Sequence, residues 1–114
     1  MLYNIAAMLA VLTAPAADPI KETHKAYRNC LLTLHNENIR TKTSLPEFRK
    51  LADAGCMVER DAYRGVIVKS ERSFGSSVAE ANSYADEEVQ ALISGIKANY
   101  AENLETGATI TLES

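Results

Sequence analysis

The stretch that decides the fold runs from Cys30 to Cys56 and reads CLLTLHNENIRTKTSLPEFRKLADAGC. Its two cysteines lie symmetrically about residue 43, because their numbers add up to 86, and the polar run TKTS surrounds that point. In an antiparallel helical hairpin, residues whose numbers add up to twice the centre of the turn face each other. The spacing therefore predicts two antiparallel helices joined by a Cys30–Cys56 disulfide.

Start signals and apolar spacing place the two helices of this hairpin. Asp18 is a favourable N-cap before a proline, and apolar residues recur at intervals of three and four, which predicts a first helix over 19–40. The second helix is expected to begin at Ser44, where SLPE matches a capping box, and to run to about residue 74. The valine-rich run 66–68 leaves a strand as the alternative there, but the helical spacing on both sides favours a helix.

A third helix is expected over 78–104. Ser77 and Glu80 match a second capping box, and the apolar positions that follow lie on one face. The prediction is an all-α, three-helix bundle that forms one domain over 17–105 and is followed by a flexible tail, 106–114.

The N-terminus resembles an export signal. An apolar stretch at 5–12 is followed by Ala14 and Ala16, an A-x-A cleavage pattern, so residues 1–16 are predicted to be a signal peptide. The stretch is shorter than a membrane-spanning helix, and no stable membrane span is expected after cleavage. No lysine or arginine precedes Ile5, which leaves a buried N-terminal helix as the alternative. Export predicts a periplasmic or secreted protein whose cysteines are oxidised.

The sequence offers no clear catalytic or metal site. A free Cys30 would need a base, but His35 lies five residues further along the same helix and off its face. His24 and His35 are separated by about 16 Å along a helix, too far to share a metal ion. We therefore expect no metal, no cofactor, no catalytic residue and no enzyme activity.

Glu59 is the residue with the least obvious position. It follows Cys56 by one helical turn on the inward side, and the hairpin rule places it opposite Tyr27. A buried carboxylate needs a partner, so a buried polar clamp between Tyr27 and Glu59 is predicted, with a catalytic acid as the alternative. Tyr63, Tyr84 and Tyr100 are interpreted as core residues, with stacking against a ligand as the alternative.

Charge is distributed unevenly along the chain. Residues 18–72 carry a balance of +3, whereas residues 73–114 carry −6. This asymmetry fits either packing of the acidic part beside the basic part or a surface for a basic partner. The possible partner face comprises Glu80, Asp86, Glu87 and Glu88. Neither part has a run of like charges that would indicate nucleic-acid binding.

Several positions between 18 and 70 resemble a group of small exported two-cysteine helical proteins of unknown function from Gram-negative bacteria. The matching residues are 26–31, Phe48, Cys56, Glu59 and 62–64, which read AYRNCL, F, C, E and AYR. The resemblance implies an envelope location, a helical fold and a Cys30–Cys56 bond, and it carries no activity. The chain is also similar to helical lysozyme-inhibitor proteins, which have more cysteines, so their function is not transferred.

These observations favour a non-catalytic envelope protein that binds an unidentified protein partner through the acidic face of the third helix. An inhibitor or immunity-type protein against a basic enzyme is the first alternative. A small enzyme that uses Glu59 or His24 is the second, and a self-associating structural protein is the third. The expected state is a monomer or a weak homodimer that binds no nucleic acid.

Overall fold

A computed structural model describes residues 18–114, which fold into four helices. The helices are α1 (Pro19–Thr41), α2 (Leu45–Ala54), α3 (Met57–Ser73) and α4 (Val78–Thr106). The all-α prediction is confirmed, but the count of three helices is wrong, because the predicted second helix is two. The signal peptide predicted for 1–16 lies outside the described residues. In the part of the chain that is described, no helix is both long and apolar enough to cross a membrane.

The predicted second helix breaks at Gly55 and Cys56. The Gly55 N–H still bonds to the Leu51 carbonyl at 2.8 Å, but a Cβ on Gly55 would lie 2.8 Å from that oxygen and 3.3 Å from Leu34. Cys56 then takes a left-handed conformation with φ 57°, and α3 begins at the next residue. A helix that reads as continuous by apolar spacing is thus divided where the chain needs a glycine and a cysteine. The run 66–68 lies inside α3, so the helix predicted there is confirmed and the strand alternative is wrong.

The first helix and α3 run antiparallel, as the hairpin rule predicts. The Cys30–Cys56 disulfide joins them with a Cα–Cα distance of 6.0 Å. Further from the turn, the His24 ring meets the Tyr63 ring edge-on at 5.4 Å between centroids. The disulfide prediction is therefore confirmed.

The long α4 returns along both shorter helices. Its Asp86 lies 2.7 Å from Arg64 of α3, and its Lys97 lies 2.8 Å from Asp53 of α2. These pairs show that α4 runs antiparallel to α2 and α3, and hence in the same direction as α1. The 29 residues of α4 cover the 10 and 17 residues of α2 and α3 together.

The two predicted capping boxes differ. At α4, Ser77 Oγ accepts the Glu80 N–H at 3.1 Å and the Glu80 carboxylate accepts the Ser77 N–H at 2.9 Å, so the box is complete. At α2, Ser44 accepts the Glu47 N–H at 3.4 Å, but Glu47 faces Lys50 at 3.6 Å instead of returning to the cap. The second helix therefore begins with half of the predicted box.

Apolar side chains from all four helices form one core. Its members are Tyr27, Leu31, Leu32, Ile39, Phe48, Ala52, Tyr63, Ile67, Ala85, Val89, Ile93, Ile96 and Tyr100. The buried residues of α1 follow the three- and four-residue spacing of an amphipathic helix and therefore lie on one side of it.

One buried histidine belongs to this core. His35 Nδ1 lies 2.8 Å from Asn36 Oδ1, and its Nε2 lies 3.2 Å from Asn103 Nδ2. Phe48 and Tyr100 stack with ring centroids 3.8 Å apart, and the His35 ring stands nearly perpendicular to both. We call these five residues the His35 cluster. It gives a buried polar ring partners on both nitrogens and aromatic faces on two sides.

The turn between α1 and α2 is fastened to this cluster. The Tyr100 hydroxyl lies 3.1 Å from the Asn38 carbonyl oxygen and 2.5 Å from the Thr43 carbonyl oxygen. Lys42 takes a left-handed conformation at the end of α1, with φ 56°. A side chain near the end of α4 thus satisfies main-chain acceptors of the first turn.

Residues 108–114 continue past α4 as an extended segment along α1. Gly107 ends α4 in a left-handed conformation with φ 76°. Ile110 packs against the core, and Asn36 and Asn29 of α1 bind the main chain of the segment. The flexibility expected for 106–114 concerns motion and stays a prediction.

Candidate functional site

The predicted clamp between Tyr27 and Glu59 is not formed. Tyr27 is buried, and its hydroxyl has no hydrogen-bond partner within residues 18–114. Its ring instead lies 6.3 Å from the Tyr63 ring, one helical turn beyond Glu59. The break before Met57 shifts the register of α3 against α1, and the simple hairpin rule does not include that shift. Burial raises the pKa of Tyr27, and the positive charge of Arg60 partly opposes this effect.

Glu59 lies instead beside the disulfide. It borders a cavity of about 440 Å³ between α1, the α2–α3 break and the C-terminal segment. The sulfur atoms of Cys30 and Cys56 and a carboxylate oxygen of Glu59 lie within 4.8 Å of one another. Three such groups can hold a metal only when the sulfurs are thiolates. The disulfide removes both thiolates, so this arrangement is a structural cross-link with a neighbouring carboxylate.

Two residues of the predicted partner face are engaged within the molecule. The hydrogen bonds from Ser77 hold the pKa of the Glu80 carboxyl below its usual range. The hydrogen bond from Arg64 likewise lowers the pKa of Asp86. Glu80 therefore caps the start of α4, and Asp86 links α4 to α3. Fewer carboxylates of this face are thus available to a partner than the sequence indicates.

The other two residues of that face remain available to a partner. Glu87 is exposed and has no ion pair within residues 18–114, whereas Glu88 is half-buried. Glu88 lies at a small cavity of about 100 Å³ between α1, α3 and α4. We call this cavity the tyrosine–glutamate pocket. Its walls are Ile20, Tyr63, Ile67, Ser70, Glu71, Tyr84 and Glu88.

The pocket brings two carboxylates and two phenol rings together. Tyr63 is buried, and this burial raises the pKa of its hydroxyl, with a further contribution from the negative charge of Glu88. Tyr84 is 42% exposed, so the interpretation of this residue as core is wrong. Tyr63 and Tyr100 are buried, as that interpretation predicts. Negative charges beside aromatic faces attract cations, and a cavity of this size admits an ammonium or guanidinium group.

The sequence contained a partial signal for this pocket. Tyr84 and Glu88 are four residues apart on α4, and Ile67 and Glu71 are four apart on α3, so each pair shares a helix face. Nothing local indicates that the two faces meet, because α3 and α4 are aligned by tertiary packing. The pocket was therefore missed, although one of its carboxylates was singled out.

Both histidines contact side chains of the packed helices. His24 contacts the Tyr63 ring, and both nitrogens of His35 face asparagine side chains. No known protein family matches the chain, and neither does any curated protein sequence or solved structure.

Proposed function

We propose that this chain is a non-catalytic binding protein of the bacterial envelope or the extracellular space that recognises a basic protein through the acidic side of α4. The observation that carries the proposal is the tyrosine–glutamate pocket, in which carboxylates and tyrosine rings surround one small cavity. A lysine or arginine side chain of the partner suits these walls. Inhibition of a basic enzyme is one form that such recognition takes.

Energetic considerations favour a charged ligand over an apolar one. A cation beside a tyrosine ring contributes about 0.5–2 kcal/mol, and a hydrogen bond to a carboxylate contributes about 1.5–3 kcal/mol before desolvation costs. Glu87, the residue before Glu88, adds a further negative charge and has no ion pair among the described residues. Binding of this kind is weakened by salt, because the Glu87 carboxylate faces solvent and Glu88 is only half-buried.

The disulfide supports the location. A Cys30–Cys56 bond persists in oxidising compartments and is rare in the cytosol. It joins α1 to the start of α3, so the same cross-link that suits export also keeps the pocket-bearing α3 in place. The export signal predicted for residues 1–16 and the proposed resemblance to exported proteins agree with this location.

The test uses a labelled peptide of alternating glycine and arginine, and its counterpart with citrulline in place of arginine. We expect the arginine peptide to bind and its affinity to fall when sodium chloride rises from about 0.05 M to about 0.5 M. Glu88→Gln and Tyr84→Ala are each expected to weaken binding about three- to tenfold more than Glu87→Gln. Glu87→Gln is the matched control, because it removes the same charge one residue away from the pocket wall.

Three results would contradict the proposal. Equal affinity for the arginine and citrulline peptides would show that the site does not require a positively charged ligand. Equal effects of Glu88→Gln and Glu87→Gln would reduce the site to a diffuse negative field. An affinity that does not change with salt would exclude the electrostatic mechanism.

A further inference from the structure

Two asparagine side chains of α1 hold the C-terminal segment by its main chain. Asn36 donates from Nδ2 to the Ile110 carbonyl at 2.8 Å, and its Oδ1 accepts the Ile110 N–H at 2.9 Å. Asn29 repeats the arrangement at Glu113, with distances of 2.9 Å and 2.8 Å. Each side-chain amide therefore pairs with both main-chain polar groups of one residue.

The spacing of the two asparagines matches an extended peptide. Asn29 and Asn36 are two helical turns apart, which is about 10.5 Å along α1. Ile110 and Glu113 are three residues apart, which is about 10 Å in an extended chain. The two amides thus form a ladder on α1 that fits the repeat of any extended segment, because it binds the main chain only.

The side chains of the segment add a preference to this ladder. Ile110 is half-buried against the core. The Arg28 guanidinium lies 3.2 Å from the Glu113 carboxylate, and Lys25 donates to the Ser114 carbonyl oxygen at 3.0 Å. The groove therefore favours an aliphatic residue at the first asparagine contact and an acidic residue at the second.

The chain's own segment fills the groove incompletely. Leu112 remains 41% exposed and forms one wall of the cavity of about 440 Å³ beside the disulfide. Ala26, Thr33 and Leu34 of α1 line the same cavity. Space of this size next to a leucine accommodates a larger apolar side chain at that position. An occupant with an aromatic residue there would bury more surface than the chain's own segment does.

Few side-chain contacts hold the segment on α1. Of its side chains, only Ile110 joins the core, and the Arg28–Glu113 pair is solvent-exposed, which makes such a pair worth little. Its attachment to α4 through Gly107 gives it a high effective concentration, and a foreign peptide must compete with that advantage.

We propose that the ladder of Asn29 and Asn36 is a binding groove for an extended segment of another protein, and that residues 108–114 occupy it as an internal competitor. The preferred ligand reads aliphatic, any residue, large apolar, acidic. The groove lies on α1, on a different surface from the tyrosine–glutamate pocket, so it is independent of the function proposed above.

The test uses the full chain with Ile110→Gly and Leu112→Gly, which loosens the internal segment and leaves α1 intact. The probe is the fluorescent peptide ATITFES, which is residues 108–114 with phenylalanine at the position of Leu112. We expect saturable binding, weaker by about tenfold to thirtyfold when Asn29→Ala removes two hydrogen bonds. Asn99→Ala on α4 is the matched control and should change the affinity less than twofold.

A second peptide and a second measurement keep the test independent of folding. The probe with proline at the position of Ile110 lacks the N–H that Asn36 accepts, and it should bind at least tenfold more weakly to the same folded protein. In the otherwise unchanged chain, Leu112→Phe should slow hydrogen exchange at the Glu113 amide, because the larger ring then packs against more of the cavity wall.

Each of the following results would overturn the proposal. The folded, loosened chain does not bind the probe, or the proline peptide binds equally well, or Asn29→Ala and Asn99→Ala have the same effect. Unchanged exchange at Glu113 in Leu112→Phe would show that the cavity does not accept the larger side chain. A dimer of the unaltered chain that Asn29→Ala dissociates would identify the segment of a second copy as the occupant, and a foreign ligand would then be excluded.

Discussion

The His35 cluster and the interface between α1 and α3 differ in whether their buried polar atoms form hydrogen bonds. In the cluster, both nitrogens of His35 and the hydroxyl of Tyr100 have partners. Between α1 and α3, the equally buried Tyr27 hydroxyl has none among residues 18–114. We call the first region the closed end and the second, together with the tyrosine–glutamate pocket, the open half. The difference indicates that the closed end contributes more hydrogen bonds to the stability of the fold, and it agrees with the proposal that the open half binds a ligand.

The disulfide between α1 and α3 should give the largest effect, because it restricts the unfolded chain. Replacing Cys30 and Cys56 by alanine should lower the free energy of unfolding by about 3–4 kcal/mol, the value expected for a loop of this length. Urea denaturation measures the change. Replacing Cys56 by glycine instead should recover about 1 kcal/mol, because its left-handed conformation costs less without a Cβ. No loss of stability in the alanine variant would show that the closed end alone determines the fold.

The two histidines should differ next. His35→Leu removes hydrogen bonds on both sides of the ring and should cost about 2 kcal/mol. His24→Leu, in the open half, changes a half-buried ring that only packs against Tyr63 and should stay within about 0.5 kcal/mol. Thermal unfolding of the two variants gives the comparison, and similar melting temperatures would contradict the distinction between the regions.

Two of the buried tyrosines, Tyr100 and Tyr27, allow the same comparison through the loss of one hydroxyl oxygen. Tyr100→Phe leaves the carbonyls of Asn38 and Thr43 without their donor and should destabilise by about 1–2 kcal/mol. Tyr27→Phe removes an unpaired hydroxyl and should be neutral or stabilising by about 1 kcal/mol. Chemical denaturation of both variants tests this, and a destabilised Tyr27→Phe would show that its hydroxyl does have a partner.

Lowering the pH should destabilise the fold through two carboxylates of α4. The pKa values of Glu80 and Asp86 are lower in the folded state than their usual values, so their contribution is complete above the usual values. It is lost as the pH falls through the lowered values, below about pH 4. Asp86→Asn should flatten the decline of melting temperature with falling pH, whereas Glu87→Gln should leave it unchanged. An identical decline in both variants would show that the ion pair between Arg64 and Asp86 does not contribute to the pH dependence of stability.

Local signals in the sequence were enough for the helices and the disulfide. The spacing of Cys30 and Cys56 predicted an antiparallel pair, and Ser77 with Glu80 predicted the start of α4, because both depend on neighbours in the chain or on one turn. Gly55 beside Cys56 was read through as part of a helix, although glycine is a frequent helix end. Because this break was not predicted, the expected register of α3 was wrong, and so was the expected contact between Glu59 and Tyr27.

Tertiary features of the candidate sites could not be predicted in the same way. The tyrosine–glutamate pocket depends on how α3 and α4 align, and no single segment contains that information. Asn29 and Asn36 share a face of α1 by their spacing of seven, but the sequence does not indicate which segment they bind. Export, by contrast, is a property of residues 1–16 and stays a prediction.

A residue-resolved NMR titration would show whether the open half binds a cationic side chain. The ligand is N-acetyl-arginine methylamide, and the citrulline analogue is the neutral control of the same shape. The account predicts saturable shifts at Tyr84, Glu88 and Glu71 with the arginine compound and none there with the citrulline compound. Equal shifts with both compounds, or shifts confined to the closed end around His35, would contradict it.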